Sequence, residues 1–135
     1  MTATVIVYSL DDAVAALSVA KERGFHVTLQ SAPNAAAFLG PMVFKAMIDQ
    51  ARESVPGTQS IAVLDCGADA GYAQNALRHG LEAVSIGLQG PARIALEDIA
   101  RQVGVTIIAA QDDALDLQMA SDPLRACKKW LTNEA

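Results

Sequence analysis

The amino-acid sequence predicts an α/β fold, in which a five-stranded parallel sheet forms with helices alternating between the strands. Short runs rich in Val, Ile and Leu alternate along the chain with longer segments whose apolar residues recur at helical spacing. Gly or Pro bounds the helical segments. Hydrophobic residues make up 52% of the chain but aromatic residues only 4%, a mixture typical of helices packed closely on parallel strands. With 135 residues, the chain has the size of a single domain.

Five segments have the composition of strands, and in chain order they cover residues 4–8, 27–30, 60–64, 83–86 and 105–109. Residues 61–64 of the third segment are all apolar, which indicates a strand buried on both faces of the sheet. Parallel neighbours cannot be joined by tight turns. The helical segments are therefore predicted to be right-handed crossovers.

The predicted helices have recognisable ends. Ser9 offers an N-terminal cap together with Asp12, and that helix ends at Gly24. The next helix begins at Pro41 and has a broad apolar stripe over residues 42–51, which a second copy of the chain is expected to cover in a homo-oligomer. The remaining helices are predicted at 70–79, 91–103 and about 122–133. We expect the last of these to pack on the sheet or on a partner.

Charge and composition exclude several classes of partner. The net charge is −5 and the basic residues are scattered, so neither nucleic acid nor an anionic membrane is expected to bind. No stretch approaches the ~20 apolar residues of a membrane-spanning helix, and no basic leader precedes an apolar run. With only Cys66 and Cys127, we expect a cytoplasmic protein with reduced thiols. The acidic stretch 112–122 lacks the spacing of a calcium loop and is interpreted as a solvated segment.

The strongest candidate for a site follows the third strand, where an apolar run ends in Asp65, Cys66 and a glycine. In parallel α/β sheets, ligands bind beyond the carboxyl ends of the strands. Asp65 and Cys66 are therefore candidate ligand-binding residues. Three further candidates lie at the ends of the second and third strands, namely Gln30, Asn34 and Asp69.

These candidates also have purely structural interpretations. Asp65 and Asp69 could cap the third helix. Asn34 could form a turn, and Cys66 could be a small buried hydrophobe. The glycine-containing loop 87–90 could offer backbone N–H groups to an anion, or it could be an ordinary helix start.

Several runs of residues support a family resemblance that spans residues 9–110. They are Ser9-Leu10-Asp11-Asp12-Ala13, Val27-Thr28-Leu29-Gln30, Ala37-Phe38-Leu39-Gly40, Leu64-Asp65-Cys66-Gly67 and residues 76–84. With this spacing the chain resembles the N-terminal half of class II, zinc-dependent fructose-bisphosphate and ketose-bisphosphate aldolases, which are TIM barrels. The resemblance implies a half-TIM-barrel-like sheet with its strands in the order one to five. A flavodoxin-like three-layer sandwich is the alternative.

The resemblance also implies which functional groups are kept and which are lost. Asp65 corresponds to the aldolase acid or base that acts on the substrate hydroxyl, whereas Cys66 stands where the family has a zinc-binding His. Ala32 and Gly87 stand where the family has a substrate-contacting Ser and a carboxylate. The family's other metal ligands lie on strands beyond those predicted here. We therefore expect neither a metal nor a cofactor.

The function expected from these observations is non-catalytic. The chain is predicted to bind a phosphorylated or other anionic small molecule, or to act as a regulatory or interaction protein. One alternative is a lyase that acts on a phosphorylated small molecule. The other is a degenerate receiver-like signalling domain, since such domains also have five β-α units and a carboxylate after strand three, the position of Asp65.

Overall fold

Strands and helices alternate along residues 2–132, which are the residues that the computed structural model describes. In chain order the elements are β1 (Thr2–Val7), α1 (Leu10–Arg23), β2 (His26–Ser31), α2 (Ala35–Phe38), α3 (Pro41–Ser54), β3 (Ser60–Asp65), α4 (Ala70–Leu77), β4 (Ala83–Ser85), α5 (Gly90–Val103), β5 (Thr106–Ile107), β6 (Leu115–Asp116) and α6 (Pro123–Trp130). The predicted α/β class with a parallel sheet is confirmed, and a sixth strand joins the five predicted ones.

The strands are hydrogen-bonded in the order β5-β4-β3-β2-β1-β6, and every pair is parallel. Strands β1 to β5 are neighbours in chain order, as in a half-barrel. In the flavodoxin-like alternative β3 would pair with β1 instead of β2. Right-handed crossovers between consecutive neighbours place their helices on one face of the sheet. On that face α1 packs against α3 and α6, and α4 packs against α5.

The register divides the sheet into a helix-covered face and an open face. Val5 and Leu29 lie side by side on the covered face, and both are fully buried. Successive side chains of a strand point to opposite faces. Thr4 and Thr28, which are also side by side, therefore lie on the other face, where they are only half-buried. We call this second side the open face.

Residues 108–114, here called the strap, connect β5 at one edge of the sheet with β6 at the other. Ile108 N donates to Val84 O at 2.9 Å, and Gln111 N donates to Oε1 of Gln30 at 3.1 Å. Five strand spacings in a flat sheet span ~24 Å, close to the ~27 Å that the connecting chain reaches when fully extended. Because residues 112–113 form a turn, the strap spans less than this fully extended length. The sheet must therefore curve, so that its edges approach each other across the open face.

The acidic stretch 112–122, interpreted from the sequence as a solvated segment, instead contains β6 and the cap of α6. Leu115 pairs with Val5 of β1, and the Asp122 carboxylate accepts a hydrogen bond from the backbone at the start of α6. A strand of two residues has no periodicity, so only its neighbour β1 identifies it. The predicted strand at 105–109 is shortened to β5, because the chain leaves the sheet to form the strap.

The predicted cap of α1 is confirmed, with one difference. The Ser9 hydroxyl accepts from Asp12 N at 3.1 Å, as a capping box requires. The return bond to Asp12 Oδ2 comes from Tyr8 N at 2.9 Å. The helix ends at Gly24, whose φ of 74° lies in the left-handed region that glycine adopts without strain. The Asp12 carboxylate therefore ties the end of β1 to the first turn of α1.

The helices of this fold are short. The helices α1, α3 and α5 have 14 residues each, and within residues 2–132 no helix is both long enough and apolar enough to cross a membrane. The C-terminal helix α6 ends at Trp130, and residue 133 of the predicted 122–133 helix lies outside the described residues. The structure places α6 against α1, with Cys127 and Leu131 fully buried.

The apolar stripe of α3 is divided between the core and the surface. Phe44 and Ile48 are buried, whereas Met42 and Val43 are 67% and 55% exposed. Phe38, just before this helix, is also exposed. These side chains form the kind of surface that a homo-oligomer would cover, and the homo-oligomer stays a prediction.

Candidate functional site

Asp65, at the end of β3, has both carboxylate oxygens engaged inside the fold. Oδ1 accepts a 2.6 Å hydrogen bond from Ser85 Oγ, and Oδ2 accepts a 2.7 Å bond from Asn34 N. The backbone N of Asp65 donates to Ser31 Oγ at 2.8 Å. Asp65 therefore joins the ends of β2, β3 and β4, and neither carboxylate oxygen is free of a protein donor.

Asn34 is held against the loop that follows β3. Its φ of 60° lies in the left-handed region, which Asn adopts more readily than most residues. A Cβ at Gly67 would lie 1.7 Å from Asn34 Oδ1, so a side chain at this position would force the two loops apart. Gly87 N, in the loop after β4, donates to Gly67 O at 2.7 Å. The three loops thus pack directly on one another, and this N–H is used within the protein.

The thiol of Cys66 is buried and protonated. The residue is 2% exposed, and its sulfur contacts Leu64 O at 3.8 Å. Burial, followed by the charge of Asp65, raises the pKa of the Cys66 thiol from 9.0 to about 12. A zinc site needs a thiolate and further converging ligands, but within the described residues no group of three His, Cys, Asp or Glu side chains could hold a metal. These residues do not fit the zinc ion that the aldolase resemblance implies.

Asp69 and the loop before α5 both have structural roles. The Asp69 carboxylate caps α4 by accepting from Tyr72 N at 3.0 Å, as its structural interpretation predicts. Arg93 holds the loop before α5, because its guanidinium donates to the carbonyl oxygens of Ile86 at 3.2 Å and Leu88 at 3.4 Å. The Arg93 guanidinium is therefore hydrogen-bonded to backbone carbonyls and does not face a site for an anion.

Gln30 differs from the other candidates because it lines a cleft on the open face. The residue is 6% exposed, and its Oε1 accepts from Gln111 N. Its Nε2 has no hydrogen-bond partner within residues 2–132. Every side-chain nitrogen or oxygen in this part of the chain that is shut off from solvent does have a partner. The Gln30 Nε2 therefore keeps access to solvent, and it does so in a cleft that Gln30 lines.

This cleft lies between the open face and the strap and has a volume of about 520 Å³. Thr4 and Thr28 line it from the sheet, Gln111 and Asp113 line it from the strap, and Trp130 of α6 also lines it. The two threonine hydroxyls make no hydrogen bond to any described residue. Small-molecule sites have volumes in this range and combine apolar walls with a few polar groups. We call this space the open-face cleft.

Of the residues that line the open-face cleft, the sequence had indicated only Gln30. Gln30 and Gln111 are 81 positions apart, so no local pattern links them. One signal was present: Thr28 and Gln30 alternate with the apolar Val27 and Leu29, which is typical of a strand with one polar face. The prediction of burial on both faces concerns the third strand, residues 61–64, and no polar face is predicted for the second strand.

Tyr8 is a second residue that the sequence did not single out. It follows β1, and its hydroxyl lies near the carboxylate of Asp116 in β6. Burial, followed by hydrogen bonding to Asp116 and the charge of Asp116, raises the pKa of Tyr8 to about 12. Tyr8 therefore lies where β1 and the short edge strand β6 meet, and this position is structural.

Similarity to known proteins does not assign the site. A comparison with protein-family models found no match to this sequence, and a search among curated proteins found none either. The aldolase resemblance therefore stays an expectation, and the assignment of a site depends on the geometry of the described residues.

Proposed function

We propose that this protein binds a small molecule in the open-face cleft and does not transform it chemically. The observation that carries the proposal is the side chain of Gln30, which is more than nine-tenths buried and yet presents an unpartnered Nε2 to the cleft. Because this Nε2 is open to solvent while the rest of the side chain is buried, it is held in place and can pair with water. A ligand with an acceptor oxygen in the cleft would take the place of that water.

The polar groups around Gln30 are held by rigid elements. Thr4 and Thr28 are register partners on adjacent strands, so their side chains are ~5 Å apart. The strap is fixed over them, because Gln111 donates from its backbone to Gln30 and from Nε2 to Ala109 O at 3.0 Å. Hydroxyl and amide groups in fixed positions favour a ligand with several polar atoms and lower the entropy cost of binding.

The titratable groups support binding without catalysis. Among the described residues that line the cleft, Asp113 is the one ionisable side chain. A catalytic nucleophile is usually activated by a neighbouring group, and the described lining of the cleft offers no second ionisable side chain beside Asp113. At the strand ends, the Asp65 oxygens are engaged and the Cys66 thiol is buried. Within the described part of the chain, no arrangement of catalytic groups therefore supports the lyase alternative.

The strand order also opposes the receiver-like alternative. Receiver domains have flavodoxin-like topology, with β1 between β2 and β3, whereas here β2 lies between β1 and β3. No Lys or Arg among the described residues lines the open-face cleft, so this cleft does not favour the anionic ligand expected from the sequence. A role through a protein partner and a cytoplasmic location stay predictions.

The proposal is tested first by a thermal-shift screen of the full chain. The panel contains polyols, amides, amines and sugar phosphates, each with and without zinc. A ligand at 100 times its dissociation constant stabilises the folded state by ~2.7 kcal/mol, which raises Tm by several degrees for a domain of this size.

The site is then located with matched threonine variants. Thr28→Val removes a hydroxyl that lines the cleft and has no partner within residues 2–132, and Thr106→Val makes the same change on β5, outside the lining of the cleft. We expect Thr28→Val to abolish or weaken the shift and Thr106→Val to leave it unchanged. A shift caused by a sugar phosphate, insensitive to Thr28→Val but lost in Asp65→Ala, would contradict the proposal and return the site to the strand ends.

A further inference from the structure

Asp113 carries the one unneutralised charge among the described residues of the open-face cleft. The residue is exposed on the strap and makes no hydrogen bond or ion pair within residues 2–132. The ion pairs of that part of the chain all lie on other residues. Lys128 and Lys129 precede Trp130 on α6, but neither lines the cleft. Among residues 2–132, the lining of the cleft therefore has negative charge and no basic side chain.

Two aromatic rings line the same cleft. Trp130 is 45% exposed, and Phe25 is 6% exposed. Asp113 lies two residues before the pairing of Leu115 with Val5, which places it beside the start of β1. The first residues of β1 line the cleft together with both rings. Aromatic faces and carboxylates attract the same class of ligand, since the electron-rich face of an indole binds ammonium groups.

We infer that the ligand of the open-face cleft is a small hydroxylated organic cation, an amine or quaternary ammonium compound. This inference rests on the proposed function and names its ligand class. The cationic group lies against Trp130 with Asp113 as its counter-ion. The hydroxyl end accepts from Gln30 Nε2 and bonds the hydroxyl groups of Thr4 and Thr28.

Choline and its uncharged carbon isostere, 3,3-dimethylbutan-1-ol, test the inference directly. The two probes have the same shape and hydroxyl group and differ in charge. Trp130 is the single tryptophan of the chain, so its fluorescence reports on the cleft. We expect choline to change the emission of the full chain in a saturable way. The isostere should bind at least about fivefold more weakly than choline. A fivefold ratio of dissociation constants corresponds to ~1 kcal/mol.

Neighbouring aspartates provide the matched control. Asp113→Asn should weaken choline binding about fivefold and leave binding of the isostere unchanged, because only the ion pair is lost. Asp112→Asn removes the same charge from an adjacent exposed residue that does not line the cleft, and it should leave both affinities unchanged.

The outcomes separate the inference from the proposed function. Equal affinity for the two probes, or choline affinity that is insensitive to Asp113→Asn, overturns the inference of a cation. If an uncharged polyol then binds and loses affinity in Thr28→Val, the proposed binding function stands without the cation. If choline leaves Trp130 emission unchanged, the inference is overturned, and if the wider panel also leaves Tm unchanged, the proposed function is contradicted as well.

Discussion

The Ser85 hydroxyl donates a 2.6 Å hydrogen bond to Oδ1 of Asp65, so the carboxylate at the end of β3 is held by the neighbouring strand β4. The other carboxylate oxygen accepts from Asn34 N in the loop after β2. Asp65, which the sequence marks most clearly as a site, therefore links three consecutive strands through hydrogen bonds. The proposed site lies elsewhere, in the open-face cleft, whose lining does not include Asp65.

Asp65→Ala is expected to destabilise the fold by ~1–3 kcal/mol, since it leaves the donors of Ser85 and Asn34 without their acceptor. Urea unfolding measures the change. A double-mutant cycle with Ser85→Ala should give a coupling of at least ~0.5 kcal/mol, as expected for two residues in direct contact. A coupling near zero would contradict the structural role given to Asp65.

Glu82→Ala is expected to cost more stability than Asp49→Ala. The Glu82 carboxylate binds the Arg52 guanidinium at 2.6 Å and also accepts from Ala62 N, at the junction of β3 and β4. Its removal leaves a part-buried backbone donor without a partner, at a cost of ~1–3 kcal/mol. Asp49 pairs with Lys45 alone, on the exposed surface of α3, and such pairs contribute ~0–1 kcal/mol. Chemical denaturation of both variants checks the order, and equal costs would show that the backbone contact contributes nothing.

Stability is expected to fall as the pH rises above about 9. Burial raises the pKa of Cys66 to about 12 and that of Cys127 to about 11, both from 9.0. Between these values the folded state holds protons that the unfolded state has lost, so the free energy of unfolding decreases with pH. Urea unfolding at pH 8 to 10.5 measures the slope. The slope should be shallower when both cysteines are replaced by alanine, and an identical slope in that variant would refute the assignment.

Gln30→Leu is expected to loosen the strap, and Gln30→Glu is its matched control. Leucine removes the acceptor of Gln111 N, whereas glutamate keeps an oxygen there. The loss of one neutral hydrogen bond costs ~1 kcal/mol. The Gln111 amide should therefore exchange with solvent about fivefold faster in Gln30→Leu. Hydrogen exchange followed by NMR measures this rate, and equal protection in both variants would show that the strap is held by other contacts.

Local patterns were sufficient for most of the fold. The cap at Ser9 and the stop at Gly24 are properties of a few adjacent residues, and the structure reproduces them. The consecutive order of β1 to β5 followed from a resemblance and not from periodicity. The strand β6 was missed because two residues, one of them acidic, become a strand only through pairing with Val5 and Ile6.

The candidate site was less predictable because it depends on long-range contacts. The sequence indicated Asp65 by its position at a strand end, but the hydroxyl of Ser85 and the amide of Asn34 that engage it come from other loops. Gln30 was also indicated by its position at the end of a strand, but it lines the open-face cleft. Its importance depends on the strap, whose path across the open face is set by the closure of the sheet and by no short motif.

Mapping of a bound ligand by backbone amide NMR distinguishes the open-face cleft from the strand ends as the binding site. A ligand that raises Tm in the screen is titrated into the isotopically labelled full chain, and the amide shifts are followed at each residue. We expect the largest shifts on Thr28, Gln30, Gln111 and Asp113, while the loops around Asp65 and Gly67 stay unchanged. Shifts confined to those loops, with the amides of the open-face cleft unmoved, would show that the ligand binds at the strand ends and that the open-face cleft is not the site.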